Sequence, residues 1–245
     1  MEIEVFSSGD MAVHVTYKLP VTETLHRRIQ ETCKAIRELN LLGVVEIVPG
    51  FNTITVYYDP LVTTYFDVYK FVLSYSILVK GERDTPTKEI ITIPTCYGST
   101  FGEDLEHVAL IHNLTEEEVI KLHCSANYLV YMIGFLPGFP YLNGLKDEIK
   151  TPRLATPRLK VPQGAVGIGG NQTGIYPLES PGGWNLIGRT PVRLFDPTKS
   201  SPFLLKAGDT IRFTPISRDE FYEIEAQINE NKYEVQREVI KNETD

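Results

Sequence analysis

The sequence lacks the features of a membrane, secreted or disulfide-linked protein. No apolar run approaches the roughly 18 residues that a bilayer-spanning helix needs, and the N-terminal MEIEVFSSGD shows no basic and then apolar signal pattern. The three cysteines, Cys33, Cys96 and Cys124, are far apart and form no paired motif. We therefore expect a cytoplasmic protein without membrane association or disulfide bonds.

Motifs for nucleotides and for hydrolytic catalysis are also missing. The stretch GGNQTGI (169–175) has the glycine spacing of a phosphate-binding loop, but Ile175 stands where that loop needs lysine. No nucleophile elbow and no zinc-protease motif is present. His123 and Cys124 are neighbours on a predicted helix, which is the wrong geometry for a base and its nucleophile.

The histidines and the net charge exclude two further kinds of ligand. Five scattered histidines show no metal-ligand spacing, so we expect no metal on this chain. The net charge of -8 disfavours nonspecific binding to nucleic acid.

Charge is spread unevenly along the chain. From Lys150 to Arg193 there are six basic residues and one acid, Glu179, whereas the tail from Ser217 has nine acids against four basic residues. Two interpretations stay open: the tail neutralises the basic segment, or the basic segment binds an anionic small molecule.

The first 84 residues predict a small α/β domain. The spacing predicts two strands, a helix capped by Thr22, two more strands and a second helix. This order suits an antiparallel sheet with both helices on one face. The charged stretch GERDTPTKE that follows is typical of a linker.

Residues 88–245 predict a second domain that is mainly β. Helices are expected at 103–112 and 116–124, the latter with the capping box of Thr115 and Glu118. From Pro137 to Pro191, short apolar pieces lie between glycines and prolines, which favours a β-barrel or a sandwich. Ser217 and Glu220 predict the start of a C-terminal helix.

Three linked motifs in the second domain could form a binding site. GFLPGFPYLNGL presents Phe135, Phe139 and Tyr141, of which we expect at least two to pack in the core. TPRLATPRL supplies Arg153 and Arg158, which an extended chain would place on opposite sides. The third motif, residues 161–191, offers exposed backbone N–H groups in a glycine-rich stretch that could bind an anion or form only barrel corners. It includes the candidate residues Gly169, Gly170, Gln172, Tyr176, Trp184 and Arg189.

These motifs, with Gly9, Asp10 and Ala12 near the start, resemble the allophanate hydrolase subunit 1 family over nearly the whole chain. That family includes the B subunit of bacterial 5-oxoprolinase and the KipI type of sporulation histidine-kinase inhibitor. The resemblance implies an α+β chain with a small N-terminal domain and a C-terminal cyclophilin-like barrel. It also implies a subunit 2 partner with a related barrel, which is the C subunit of the enzyme, and a third, metal-dependent lactam-utilisation subunit.

The activity that the resemblance implies is ATP-dependent opening of 5-oxoproline to glutamate, with ATP shared with the partner. We expect the isolated chain to be inactive, because its sequence contains no complete nucleotide or catalytic constellation. Phosphorylating the lactam oxygen needs cationic or amide donors. We therefore expect Arg153, Arg158 and Arg189 to stabilise charge, Gln172 and Tyr176 to orient substrate, and Gly169, Gly170 and Phe139 to complete the site.

Trp184, the only tryptophan, is expected at the rim of one electropositive barrel cavity, where Gly182 and Gly183 leave room for it beside Arg189. Two other functions stay open. The first is a protein inhibitor that acts on a histidine kinase through its surface. The second is a component of a urea carboxylase, which the lack of a biotinyl domain weakens.

Overall fold

A computed structural model describes residues 2–79 and 87–241. The chain divides into two compact units, 1–84 and 85–245. The strands are β1 (Ile3–Ser7), β2 (Ala12–Tyr17), β3 (Val44–Pro49), β4 (Thr53–Tyr58), β5 (Thr87–Tyr97), β6 (Tyr128–Ile133), β7 (Pro140–Asn143), β8 (Arg158–Val161), β9 (Ala165–Gly169), β10 (Gln172–Ile175), β11 (Ser180–Gly182), β12 (Asn185–Arg189), β13 (Thr210–Pro215) and β14 (Arg237–Lys241). The helices are α1 (Glu23–Glu38), α2 (Tyr65–Leu78), α3 (Leu105–His112), α4 (Glu116–Cys124) and α5 (Arg218–Asn229).

The first unit is a four-stranded antiparallel sheet in the order β1-β2-β4-β3, against which α1 and α2 pack. The Thr22 hydroxyl accepts a hydrogen bond from the Leu25 backbone N–H, which caps α1 as predicted. Alternating apolar residues of the strands face the helices and form the core with Leu25, Ile29, Cys33, Ile36, Val68 and Val72. The predicted order of elements is confirmed.

The second unit contains a closed seven-stranded barrel. Its strands run in the order β12-β9-β10-β7-β6-β13-β5, and a further pairing of β12 with β5 closes the ring. All of these neighbours are antiparallel except β13 and β5, which run parallel. Closure leaves no free edge around the ring. The predicted mixed α/β chain with a C-terminal barrel is therefore confirmed.

The helices of the second unit begin at the predicted capping residues. Both capping boxes form: Thr115 with Glu118 opens α4, and Ser217 with Glu220 opens α5. Two details differ from the prediction: α3 begins at Leu105 rather than at 103, and a fourteenth strand, β14, follows α5 and pairs with β5. Most of the predicted linker lies outside the described residues. In the described part of the chain, no helix has the length and apolar character needed to cross a membrane.

Candidate functional site

Trp184 lies on a floor of glycines that β9 and β10 supply. A Cβ atom added to Gly169 would lie 2.5 Å from Nε1 of the indole, and one added to Gly174 would lie 2.9 Å from Cζ3. A side chain at either position would therefore collide with the ring. Trp184 is only 5% exposed and packs in a cluster with Phe139, Tyr176 and their neighbours. The expectation of a tryptophan at an open rim is wrong, because its indole is part of a small core.

The pair Gly182–Gly183 makes room for a different ring. A Cβ atom on Gly182 would lie 2.4 Å from the Tyr176 hydroxyl oxygen, whereas one on Gly183 would meet nothing closer than 3.6 Å. The Tyr176 hydroxyl accepts a hydrogen bond from the Trp184 backbone N–H. Burial raises the pKa of Tyr176, and this hydrogen bond and the charges of Arg153 and Arg158 oppose the rise. Tyr176 is thus a buried neighbour of both arginines.

Gly169→Ala tests this arrangement with the single tryptophan as reporter. We expect the added methyl group to displace the indole, to cost about 1–3 kcal/mol of unfolding free energy, and to shift the emission of Trp184 to longer wavelength. Gly183→Ala is the matched control, since its new Cβ meets only ordinary contacts with Pro157. Unchanged emission in the Gly169 variant would contradict the glycine floor.

Phe139 is the centre of the aromatic cluster. Its ring makes edge-to-face contacts with Phe135, Tyr141, Tyr176 and Trp184 at centroid distances of 5.0–5.6 Å. It is buried, Tyr141 is half-buried and Phe135 is exposed. The prediction that at least two of the three motif aromatics pack in the core agrees with this geometry.

Phe135 presents an aromatic ring to solvent from a strained backbone. Its φ is +66°, and the Leu136 N–H donates to the Gly134 carbonyl oxygen at 2.7 Å across a tight turn. Left-handed backbone is unfavourable for a bulky residue and costs about 1–3 kcal/mol. Phe135 is also 63% exposed. Backbone strain of this kind clusters at binding sites, so Phe135 is a candidate contact residue beside Phe139.

Arg153 lies over the Trp184 ring of the aromatic cluster. Its guanidinium carbon is 5.7 Å from the centroid of the Trp184 ring, within the range of a cation–π contact. Arg153 is exposed, and within residues 2–79 and 87–241 no carboxylate forms an ion pair with it. It is therefore a positioned cation that can accept an anionic group from outside.

Three hydrogen bonds hold the segment that carries Arg153. The Gly170 N–H donates to the Thr151 carbonyl oxygen at 2.7 Å, and Nδ2 of Asn185 donates to that of Pro152 at 2.8 Å. The Leu154 N–H donates to the Gly183 carbonyl oxygen at 2.7 Å. Because these bonds flank Arg153 on both sides, they fix its backbone beside Trp184. They also occupy the Gly170 N–H, which the sequence predicts as an exposed anion donor.

Arg158, in contrast, has its own counter-ion. Its Nη2 lies 2.6 Å from Oδ1 of Asp104, and its Nε lies 3.9 Å from a carboxylate oxygen of Glu103. The other oxygen of Asp104 accepts the Leu186 backbone N–H at 2.6 Å. Asp104 thus connects β8 to β12. The charge of Arg158 is largely neutralised in this structure, so Arg158 is less available to a ligand than Arg153.

Arg189 belongs to another part of the barrel. Its Nε donates to the carbonyl oxygen of Gln163 at 2.8 Å, and its guanidinium lies 5.9 Å from the Phe221 ring centroid. It lines a cavity of about 110 Å³ together with Arg193 and Glu225. The expected single cavity lined by all three arginines is therefore not what the described residues form, and the cation beside Trp184 is Arg153 rather than Arg189.

The remaining candidates lie at the β9–β10 hairpin. Gln172 is half-buried and pairs with Gly169, next to the turn at Gly170. The structure therefore groups Gly169, Gly170 and Gln172 near Trp184. It brings Tyr176, Phe139 and Arg153 to the same cluster, with Arg158 at its side.

The lysines of the basic segment (150–193) form their ion pairs with acids that do not belong to the acidic tail (217–245). Lys160 pairs with Glu179 at 3.1 Å, and Lys150 pairs with Asp147. The tail helix α5 contacts this segment through Phe221, over which Arg189 lies, and through Asn229, which accepts a hydrogen bond from Nη2 of Arg193 at 2.6 Å. Up to Lys241, where the described part of the tail ends, no acid of the tail forms an ion pair with Arg153.

Comparison with known proteins agrees with this geometry at the level of the family. Residues 3–205 match the family described as the carboxyltransferase domain, subdomain C and D. The chain is 38% identical to the B subunit of 5-oxoprolinase from Bacillus subtilis (strain 168) over 230 residues, 90% of this chain and 96% of that protein. It is 48% identical to the B subunit of 5-oxoprolinase from Haemophilus influenzae over 201 residues, 81% of this chain and 92% of that protein. The chain belongs to the family of 5-oxoprolinase B subunits.

A solved structure supports the fold of this family member. The Kluyveromyces lactis urea amidolyase superposes with a TM-score of 0.81 over 98% of this chain, at 20% identity and over 16% of the larger enzyme. At that identity the similarity concerns the fold alone. The resemblance to the allophanate hydrolase subunit 1 family is confirmed.

A buried polar network lies in the barrel of this family member. Thr173 donates to the Gly167 carbonyl oxygen at 3.0 Å, so its hydroxyl must accept from Nε2–H of His123 at 2.9 Å. Nδ1 of His123 then accepts from the Tyr97 hydroxyl at 2.8 Å, and the Cys124 thiol donates to that hydroxyl. Burial lowers the pKa of His123 to about 3. His123 and Cys124 are therefore structural groups in this geometry.

The neutral state of His123 predicts a pH-dependent stability. In the unfolded chain the histidine side chain takes up a proton as the pH falls through 6.5. In the folded chain the imidazole of His123 stays neutral until the pH approaches its lowered pKa of about 3. The stabilisation is thus complete above pH 6.5 and is lost as the pH falls through this window, at up to about 1.4 kcal/mol per pH unit. We expect denaturant unfolding to show that the stability advantage of wild type over His123→Gln shrinks across the window. The two chains share every other titrating group, so parallel curves would contradict the assignment.

Two functional neighbours were missed by reasoning from the sequence. Asp104 pairs with Arg158 across 54 positions, and Asn185 anchors the segment before Arg153 across 33. Asp104 follows a glycine and an acid just before α3, which is an ordinary pattern for a helix start. Both pairings join residues that are distant in the sequence, so only the folded chain gives either residue its partner.

Proposed function

We propose that this chain is the B subunit of an ATP-dependent 5-oxoprolinase, which converts 5-oxo-L-proline, ATP and water into L-glutamate, ADP and phosphate. The observation that carries the proposal is Arg153, an exposed cation without an acidic partner in the described chain, held over the ring of Trp184. The relatives that are named as B subunits of 5-oxoprolinase extend over most of this chain. They support the same role.

The chemistry divides between activation and cleavage. Transfer of the γ-phosphoryl group to the lactam oxygen, with release of ADP, makes the ring carbon electrophilic. A first water then adds to that carbon and the carbon–nitrogen bond breaks, which gives the open-chain γ-glutamyl phosphate. A second water hydrolyses this acyl phosphate to glutamate and phosphate. Arg153 would bind the carboxylate of 5-oxoproline in a charge-assisted and bidentate manner, while the aromatic cluster would border the apolar face of the ring.

ATP would be held mainly by a partner. One unpaired guanidinium matches one carboxylate, whereas a triphosphate carries several charges and needs more donors. The Gly170 N–H already donates to Thr151. We therefore propose that the enzyme is completed by the C subunit, which would have a related barrel, and by a third, metal-dependent subunit. The isolated chain is inactive in this proposal.

The deciding experiment mixes this chain with both partner subunits and follows glutamate release from 5-oxoproline with and without ATP. Release that depends on ATP and on all subunits supports the proposal. Release by this chain alone, or no release from the full set, contradicts it.

A second candidate is the inhibitor of a histidine kinase, because Phe135 and Arg153 are both exposed and could contact a protein surface. Absence of turnover together with tight binding to a kinase dimerisation domain would favour this function. A urea carboxylase role is supported less, since the urea amidolyase of Saccharomyces cerevisiae is 23% identical and this chain spans 14% of its length.

A further inference from the structure

Three loops meet at one end of the sheet in the first unit. They are residues 8–11 between β1 and β2, residues 39–43 after α1, and residues 59–64 before α2. The Tyr58 N–H donates to the Met11 carbonyl oxygen at 2.9 Å, and the Asp59 N–H donates to that of Gly43 at 2.8 Å. A Cβ atom on Gly43 would lie 3.1 Å from a methyl carbon of Val62. The three loops are therefore in direct contact.

These loops expose large apolar side chains, which we call the apolar loop patch: Met11, Leu42, Leu61 and Val62. Their exposed fractions are 54%, 81%, 93% and 49%. None of them belongs to the core of this unit, which the strands and the inner faces of α1 and α2 fill. Single exposed apolar residues are ordinary, but several on adjoining loops mark an interaction surface.

The charges around the patch limit what can bind it. The three loops contain Asp10 and Asp59 and no lysine or arginine. The nearest cation along the chain, Arg37, lines a cavity with Asn40 and Leu41 of the second loop, and its Nη2 donates to the Ile47 carbonyl oxygen at 2.7 Å, in β3. A membrane surface is disfavoured, because binding to anionic lipid requires basic residues beside the apolar ones.

A second copy of this chain is also a poor occupant. A twofold contact places the same surface of both copies face to face. Asp10 and Asp59 of one copy would then approach the same acids of the other, with no basic residue in the loops to neutralise them. Like charges across an interface cost several kcal/mol. The complementary surface is an apolar one flanked by lysine or arginine.

We propose that the apolar loop patch docks the C subunit of the proposed 5-oxoprolinase, through an apolar surface of that partner flanked by basic residues. This inference rests on the proposed function. It assigns the patch to assembly, whereas Arg153 and the aromatic cluster are assigned to the substrate.

In the test, calorimetry measures the dissociation constant between this chain and the purified C subunit at low and high salt. Leu42→Ser/Leu61→Ser removes the two most exposed side chains of the patch, and Leu110→Ser/Leu159→Ser is the matched control, at positions 74% and 87% exposed in the second unit. We expect the patch variant to bind about 10-fold more weakly or worse, and the control to bind within about 2-fold of wild type. Asp10→Lys should weaken binding and reduce its salt dependence.

The outcomes separate this inference from the proposed function. Glutamate release by the wild-type set, with wild-type affinity in the patch variant, overturns the docking assignment and leaves the proposed function standing. Equal losses in the patch and control variants also overturn it. If the wild-type chain neither binds the C subunit nor supports glutamate release, both the docking assignment and the proposed function are wrong. Self-association that the patch variant abolishes makes the patch a contact between copies and overturns the assignment to the enzyme partner.

Discussion

Replacing Arg153 with alanine should lower kcat/KM for 5-oxoproline about 10- to 100-fold in the assembled enzyme. The loss corresponds to one charged hydrogen-bonding partner, about 1.5–3 kcal/mol. Because Arg153 is exposed and has no ion-pair partner in the described chain, we expect the unfolding free energy of the variant to stay close to that of wild type. The measurement is the steady-state rate of glutamate release, with denaturant unfolding of the purified chain beside it.

Lys160→Ala is the control for Arg153→Ala. Lys160 is an exposed cation of the same basic segment, but it pairs with Glu179 at 3.1 Å. Its removal should leave kcat/KM unchanged. Arg153→Lys keeps the charge and loses the planar fork, so it should restore only part of the activity. Wild-type kinetics in Arg153→Ala would contradict the role of Arg153 as the carboxylate receptor.

The elements that the sequence predicts well depend on short-range interactions. The start of α4 follows from the side chains of Thr115 and Glu118, which bond to backbone groups only three positions away. The barrel is predictable for a similar reason, because short apolar pieces between glycines and prolines suit tight β corners. Neither inference needs to know which strands are neighbours.

The geometry of the site could not be predicted because it depends on strand register. The floor under Trp184 consists of Gly169 and Gly174, and the pairing of β9 with β10 brings these two glycines together. From the sequence alone, the Gly182–Gly183 pair next to Trp184 is the more obvious choice for the glycines that make room for the indole. The strand β14 was missed for the same reason, since its partner lies in β5, nearly 150 positions earlier.

The three candidate arginines show why composition cannot separate roles. All three belong to the basic segment, yet their partners differ: an indole for Arg153, a carboxylate for Arg158, and a carbonyl oxygen with a phenyl ring for Arg189. Counting the charges of the segment does not reveal these differences between the partners of the three arginines. Only the folded structure distinguishes an arginine that is free to bind an anionic ligand from one that is already paired with a carboxylate of the protein.

Asp104→Ala should be the most destabilising substitution at the site, by about 2–3 kcal/mol. Asp104 is buried, with one oxygen on Arg158 and the other on the Leu186 N–H. Its removal leaves a half-buried guanidinium without its close counter-ion and a buried N–H without an acceptor, and each loss is costly. Chemical denaturation of the isolated chain measures the effect directly.

A double-mutant cycle separates the ion pair from the backbone hydrogen bond. In an Arg158→Met background the uncompensated charge is gone, so Asp104→Ala should cost less there than in wild type, the difference being the coupling energy. Glu103→Ala is the control, because that carboxylate is solvent-exposed and 3.9 Å from the same guanidinium, and exposed pairs contribute little. Equal costs of Asp104→Ala in both backgrounds would mean that Asp104 acts only through Leu186. Arg158 would then be as available to a ligand as Arg153, and the distinction drawn between the two arginines would fail.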